Sequence, residues 1–109
     1  MAVTLEEVIT ELVVNGGNAK SRAIEAIEAA RKGDFELADE KIREADDYVT
    51  AAHEFQTGII QKEASGEEAM EVSLIMVHGQ DHLMNAMTTR DLAVQIVDLC
   101  KIIYRDKQD

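Results

Sequence analysis

His78, Gln80, Asp81 and His82 fall within five residues of one another in a chain of 109. On a helix, residues three and four apart share a sector, so His78 would face Asp81 and His82. The cluster directly follows Leu74-Ile75-Met76-Val77, four apolar residues that at about 100° per step wrap most of a helix. Titratable groups inside the most apolar part of a chain are costly to bury, on the order of several kcal/mol for an unpaired charge. Three chemistries would satisfy them. The histidines and the aspartate could hydrogen-bond one another within a bundle. Two histidines at i and i+4 could ligate zinc. Or His78 could be a nucleophile, its imidazole nitrogen taking a phosphoryl group while Gln80 and His82 act as donors that orient it.

The metal reading meets an obstacle in the order H-x-x-D-H, which is similar to the H-x-x-E-H of inverzincin proteases with Asp for Glu. The shorter side chain misplaces a general base, and a chain of this length leaves little material for a third ligand and a cleft. Other reactive side chains have plainer readings. His53 reads as a flank or core histidine and not as a second phosphorylation site. Cys100 reads as a small core residue among Ile96, Val97, Ile103 and Tyr104, which offer nothing to activate a thiol. Met76, Met84 and Met87 fill a core or an interface, and suit a docking surface that meets two different partners. Acidic pairs such as Asp46-Asp47 and Glu67-Glu68 read as solvated faces.

The elements that must hold this cluster are helices. Thr4 followed by Glu7 is a capping box, after which Leu5, Val8, Leu12, Gly16, Ala19, Ala23, Ile27 and Ala30 recur at helical spacing. Asn15-Gly16-Gly17-Asn18 interrupts good helix formers at roughly 1 kcal/mol per glycine. The stripe keeps phase across it, so close helix packing is expected there and not a break. Lys32-Gly33-Asp34 ends this helix and caps the next. Phe35, Ala38, Ile42, Ala45, Val49, Ala52, Gln56 and Ile59 then follow a/d spacing. Ser65-Gly66 punctuates the chain, a weakly patterned acidic stretch runs to Glu71, and a third helix is expected from near Met70 to about Tyr104, with a soft spot at Thr88-Thr89. The segment Ala30–Ala45 has the look of one tetratricopeptide repeat, but no second or third copy follows, and such solenoids need about three. The expectation is an all-α, antiparallel up-down-up three-helix bundle forming a single domain over 1–109. A helix apolar all round exceeds what one bundle can cover, so a homo-oligomer is expected.

Composition removes several function classes. With 22 acidic against 11 basic residues the formal net charge is −11, and the basic residues form no stripe, which disfavours nucleic acid and anionic membrane surfaces. The chain has no proline and no tryptophan, so nothing obliges a helix to break. The single cysteine forms no internal disulfide, fitting a reducing compartment. The first fifteen residues lack the basic start of a signal peptide, and no apolar run nears the ~20 residues that span a bilayer. A soluble, cytoplasmic protein is expected.

The run His78-Gly-Gln-Asp-His-Leu-Met resembles the H-A-Q-D-H-L-M signature of the enzyme IIA component of the lactose/cellobiose (and chitobiose) class of bacterial sugar phosphotransferase systems, with Gly79 as the one departure. The likeness extends to Gly16-Gly17-Asn18-Ala19, to Ala30-Arg-Lys-Gly-Asp-Phe35, to Ala52-His53-Glu-Phe-Gln56-Thr57, and to Val72-Ser-Leu74. It implies a homotrimer of three-helix bundles. It further implies that His78 accepts a phosphoryl group from the phosphohistidine of HPr and passes it to a cysteine of enzyme IIB, for uptake of a lactose/cellobiose-type disaccharide. On that likeness the chain binds no sugar and meets the membrane only through the transporter complex. No cofactor is needed for the transfer. Asp81 would lie on the trimer axis, where a divalent cation such as magnesium relieves the repulsion of three carboxylates. The competing class is a structural or adaptor bundle whose histidines serve assembly or metal binding.

Overall fold

The computed structural model describes residues 3–66 and 71–108. Thr4 begins the first helix as expected: its hydroxyl accepts from the Glu7 backbone N–H at 3.1 Å, while the Glu7 carboxylate accepts from the Thr4 N–H at 3.3 Å. Helix α1 (Leu5–Val8) passes without interruption into a π-helical stretch (Ile9–Val14) and then into α2 (Asn15–Arg31), making one continuous rod. The π-helical stretch was not expected from the sequence pattern. In an α-helix each four-residue step drifts about 40° around the axis. Val8, Leu12 and Gly16 are spaced by fours and all buried, and the wider π turn offsets that drift. Leu5, expected on the same stripe, is exposed in the first turn.

Arg31 is followed by a tight turn in which Gly33 takes φ +84°, a left-handed conformation costly to any residue with a β-carbon. Asp34 caps α3 (Phe35–Ala64), its carboxylate accepting from the Leu37 N–H at 3.1 Å. Helix α3 stops at Ser65, before Gly66 at φ +80°. Helix α4 (Leu74–Gln108) is 35 residues long and starts behind Ser73, whose hydroxyl accepts from the Met76 N–H at 3.2 Å. Met70 itself and the Glu67-Glu68 pair lie outside the described residues, but Glu71, Val72 and Ser73 are not helical, so this helix starts about a turn later than the expected start near Met70. Thr88-Thr89 does not break α4, and the Thr89 hydroxyl donates back to the Asn85 carbonyl at 2.8 Å.

The three rods pack along a body of 60 × 22 × 18 Å. Among the described residues there is no strand. The core is layered. At one end Val8 and Leu12 of the first rod meet Ala52 and Ile59 of α3 and Met76 and Leu83 of α4. Two middle layers are made of Ala19, Val49 and Ala86, and of Ala23, Ala45 and Ala93. At the other end Ala26, Ala29 and Ala30 meet Ala38 and Val97. Alanine knobs hold the helices close through the middle, and the largest fully buried side chains, Leu12, Leu83 and Val8, gather at the end that carries His78. Surface pairs stitch the rods together: Arg90 to Asp46 at 2.7 Å, Lys101 to Asp39 at 2.9 Å, and a cluster of Arg22, Glu25, Lys41 and Glu44. Solvent-screened pairs of this kind add little to stability and serve mainly to fix how the rods face one another. Among the described residues no helix is long and apolar enough to cross a membrane.

Candidate functional site

Two glycines set how deeply the first turns of α4 sit in the bundle. A β-carbon at Gly79 would stand 3.1 Å from Leu12 Cβ and 3.2 Å from Val8 Cγ1. The departure from H-A-Q-D-H at this position therefore lets α4 close onto the rod at the π-helical stretch, an account that sequence alone did not supply. Across the interface, a β-carbon at Gly16 would stand 3.3 Å from the backbone carbonyl of His82. The close packing expected at Gly16-Gly17 is thus present, and it supports the backbone of the cluster itself. Gly17 has nothing within 4 Å.

Seated in this way, Met76, Gly79, Leu83 and Ala86 face inward. His78 is exposed and His82 half-buried, with their rings edge to face at a centroid distance of 4.5 Å and an interplanar angle of 77°. Asp81 is exposed. The expectation that these titratable groups are buried is not met within a single chain, and the reason lies in their neighbours. Leu74, Val77 and Met84 are themselves 83%, 52% and 50% exposed, so the apolar surplus of this segment is uncovered. The uncovered face continues along α4 at steps of three and four through Leu74, Val77, Asp81, Met84, Thr88, Leu92, Gln95, Leu99 and Ile102, all exposed. Such spacing is a coiled-coil seam.

Gln80 does not join His78. At about 100° per residue it lies about 200° around α4, so the two side chains flank the seam, each about 80° from its midline. Its carboxamide turns toward α3, where Gln80 Oε1 accepts a hydrogen bond from Gln56 Nε2. Gln80 Nε2 is 3.5 Å from the Met76 sulfur, and Gln56 Nε2 is 3.8 Å from the Met84 sulfur. In the sequence Gln56 occupies one more a/d position of α3. The signal that could have singled it out is an amide in an otherwise apolar seam.

The remaining residues fall as follows. His53 is exposed on α3, a flank histidine away from the core. Met76 is buried, Met87 half-buried and Met84 exposed. Cys100 is only half-buried, packed at the far end beside a cleft that Phe35 and Tyr104 also line, their rings edge to face at 5.4 Å. Among the described residues no three His, Cys, Asp or Glu side chains of one chain converge on a metal position, so the zinc geometry suggested by His78 and His82 lacks a third ligand.

An exposed imidazole whose neighbouring ring can donate, at the edge of an uncovered seam, suits transfer of a group between proteins better than enclosure of a small substrate. Comparison with known proteins gives this arrangement a family. The family model described as the lactose/cellobiose-specific IIA subunit of the PTS system matches residues 7–101. The chain is 48% identical to the lichenan-specific phosphotransferase enzyme IIA component of Bacillus subtilis, over 94% of this chain and 93% of the relative. The crystal structure of the cellobiose-specific enzyme IIA of Bacillus anthracis superposes with a TM-score of 0.86 at 43% identity, covering 96% of this chain and 95% of that one. The chitobiose IIA protein of Escherichia coli, solved in solution in complex with HPr, superposes with a TM-score of 0.75 at 35% identity, covering 94% and 99%. The chain belongs to the lactose/cellobiose-specific IIA family of the phosphotransferase system, whose members are phosphotransferase relay proteins.

Proposed function

We propose that His78 is the phosphoryl acceptor of this chain, charged by HPr and discharged to a cysteine of enzyme IIB during uptake of a lactose/cellobiose-type disaccharide. The observation that carries the reading is the exposed His78 ring with the His82 ring 4.5 Å away. The solved complex of the related chitobiose IIA protein with HPr supports HPr as donor. A nitrogen lone pair of neutral His78 attacks phosphorus as the N–P bond of the donor phosphohistidine breaks; the donor ring, protonated on its other nitrogen, leaves as neutral imidazole, and His78 keeps its own N–H opposite the new N–P bond. In the second step a thiolate sulfur forms the S–P bond as the His78 N–P bond breaks. His82 donates a hydrogen bond to the added phosphate, and little beyond positioning and charge stabilisation is asked of the protein. The relay works in the cytoplasm, binds no sugar and reaches the membrane only through the transporter.

The reading includes a parallel homotrimer built on the α4 seam, from bundles of up-down-up course. Six exposed apolar residues along that seam need cover, and contact of the starts of the first rod and α4 with the end of α3 supports the course of the helices. A cyclic assembly brings opposite flanks of neighbouring seams together. Gln80 of one copy then meets His78 of the next, which gives Gln80 a phosphate-orienting role that it lacks toward its own chain. Asp81 lies on the seam midline. One carboxylate does not hold a cation, whereas three copies supply up to six oxygens, a donor set that fits magnesium or another hard divalent ion. When bound, the ion would neutralise the facing carboxylates, and no step of the transfer passes through it.

Incubation with phosphoenolpyruvate, enzyme I and HPr, followed by intact-mass measurement, tests the relay. One added phosphate per chain is expected, absent in His78→Ala with the helical circular dichroism unchanged. Label that persists in His78→Ala and maps to His53 or His82 overturns the assignment.

A further inference from the structure

Gln56 and Gln80 form a cross-helix amide pair that also lies against the Met84 and Met76 sulfurs, with Gln80 on the helix that carries exposed His78 and half-buried His82. A carboxamide can present either its oxygen or its NH2 group along a given direction, and the two differ in sign toward a phosphate. With Oε1 of Gln80 taken by Gln56, the acceptor that Nε2 meets among the described residues is the Met76 sulfur, a weak one. Its N–H groups are therefore available to an oxygen brought from outside the bundle. The opposite orientation would turn a carbonyl oxygen toward an incoming phosphate and repel it.

We propose that Gln56 is a positioning residue for phosphoryl transfer: by taking the Gln80 carboxamide oxygen it fixes which end of that amide is free, leaving the NH2 group, met within the chain by the weak Met76 sulfur, as donor to the phosphate on His78 of an adjacent copy. The inference rests on the relay and assembly read above, and it changes none of the bonds made or broken. Gln56 touches neither phosphate nor His78. Its contribution is preorganisation, since a donor already turned toward the developing charge needs no reorientation during transfer.

The test uses the full-length protein and Gln56→Met, which keeps the volume and flexibility of the side chain and removes its donor. Circular dichroism and sedimentation check that helix content and assembly persist. In single-turnover transfer from phospho-HPr, the saturated rate is expected to fall about tenfold while the HPr concentration at half-saturation changes less than twofold. In a Gln80→Met background the same substitution should have no further effect, because a residue acting only through Gln80 has nothing left to orient. An unchanged rate in Gln56→Met, or full additivity of the two substitutions, overturns the proposal. If Gln56→Met fails to fold, side-chain amide NMR of the wild type decides. The Gln80 NH2 resonances should move on phosphorylation while those of Gln56 stay bonded to Gln80, and Gln80 resonances that ignore phosphorylation overturn it. Loss of the relay reading is separately visible, as wild-type protein that takes no phosphate on His78.

Discussion

The α-carbon of Gly16 rests on the backbone of His82, so close that a β-carbon would lie 3.3 Å from both the carbonyl carbon and the carbonyl oxygen. The neighbour is main chain and cannot rotate aside. Gly16→Ala should therefore push α4 away from the first rod and cost about 1–3 kcal/mol by overpacking, outweighing the gain in helix propensity. Gly17, with nothing within 4 Å, should respond in the opposite sense, Gly17→Ala stabilising by up to about 1 kcal/mol. Gly79→Ala meets side chains of Val8 and Leu12 and should cost less than Gly16→Ala. Thermal melts of the three variants check the order, and a Gly16→Ala protein more stable than Gly17→Ala would contradict it.

His82 is expected to assist transfer without accepting phosphate. His82→Ala should keep one phosphorylated site per chain and change the transfer rate or the lifetime of the phospho-form by about tenfold or more, the size of a general donor effect. Peptide mapping and quench-flow kinetics measure both. Unchanged rates in both directions would reduce His82 to packing against His78.

Asp81 joins electrostatics to assembly. Replacing three facing carboxylates with apolar groups of similar size is often neutral or stabilising by about 1–4 kcal/mol. Asp81→Leu is expected to remain trimeric, to lose any metal dependence and still to take phosphate on His78. Sedimentation of wild type and variant, each with and without chelator, is the measurement. A monomeric wild type, or a variant that dissociates while wild type holds, would remove Asp81 from the axis.

Acid should loosen the pair of first rod and α3 at Glu25. Hydrogen bonding from Arg22, aided by Lys41, holds the Glu25 carboxyl below its ordinary value. A depressed carboxyl stabilises the fold above its unfolded value, and the contribution disappears as pH falls through the folded one. Glu25→Gln should thus flatten the acid limb of a stability profile slightly and leave neutral stability close to that of wild type, because the group is solvent-screened. A steeper acid limb in the variant would show the sign to be wrong.

The helices were legible in the sequence because their signals are local. The Thr4–Glu7 capping box, the Asp34 cap and the a/d register of Ala38, Ala45, Val49 and Ala52 need only a few neighbouring residues to be read, and each is realised. The sector shared by His78 and His82 follows from helical spacing and is present as a ring contact. Burial was not legible, since it depends on what covers a face. Leu74 and Val77 are as apolar in sequence as Met76, yet only Met76 points into the bundle.

By itself the sequence determined that this chain forms long helices with a histidine pair on one of them, since periodicity and caps act within a turn or two. Only the tertiary structure decided the rest. It set the π-helical stretch that keeps Val8, Leu12 and Gly16 on one side, the two glycines that bring α4 down onto the rod, and the turn of Gln80 away from His78 toward Gln56. The reason is that these depend on distances between residues far apart in the chain, and a β-carbon or a carboxamide oxygen acquires its meaning from the group that stands opposite it.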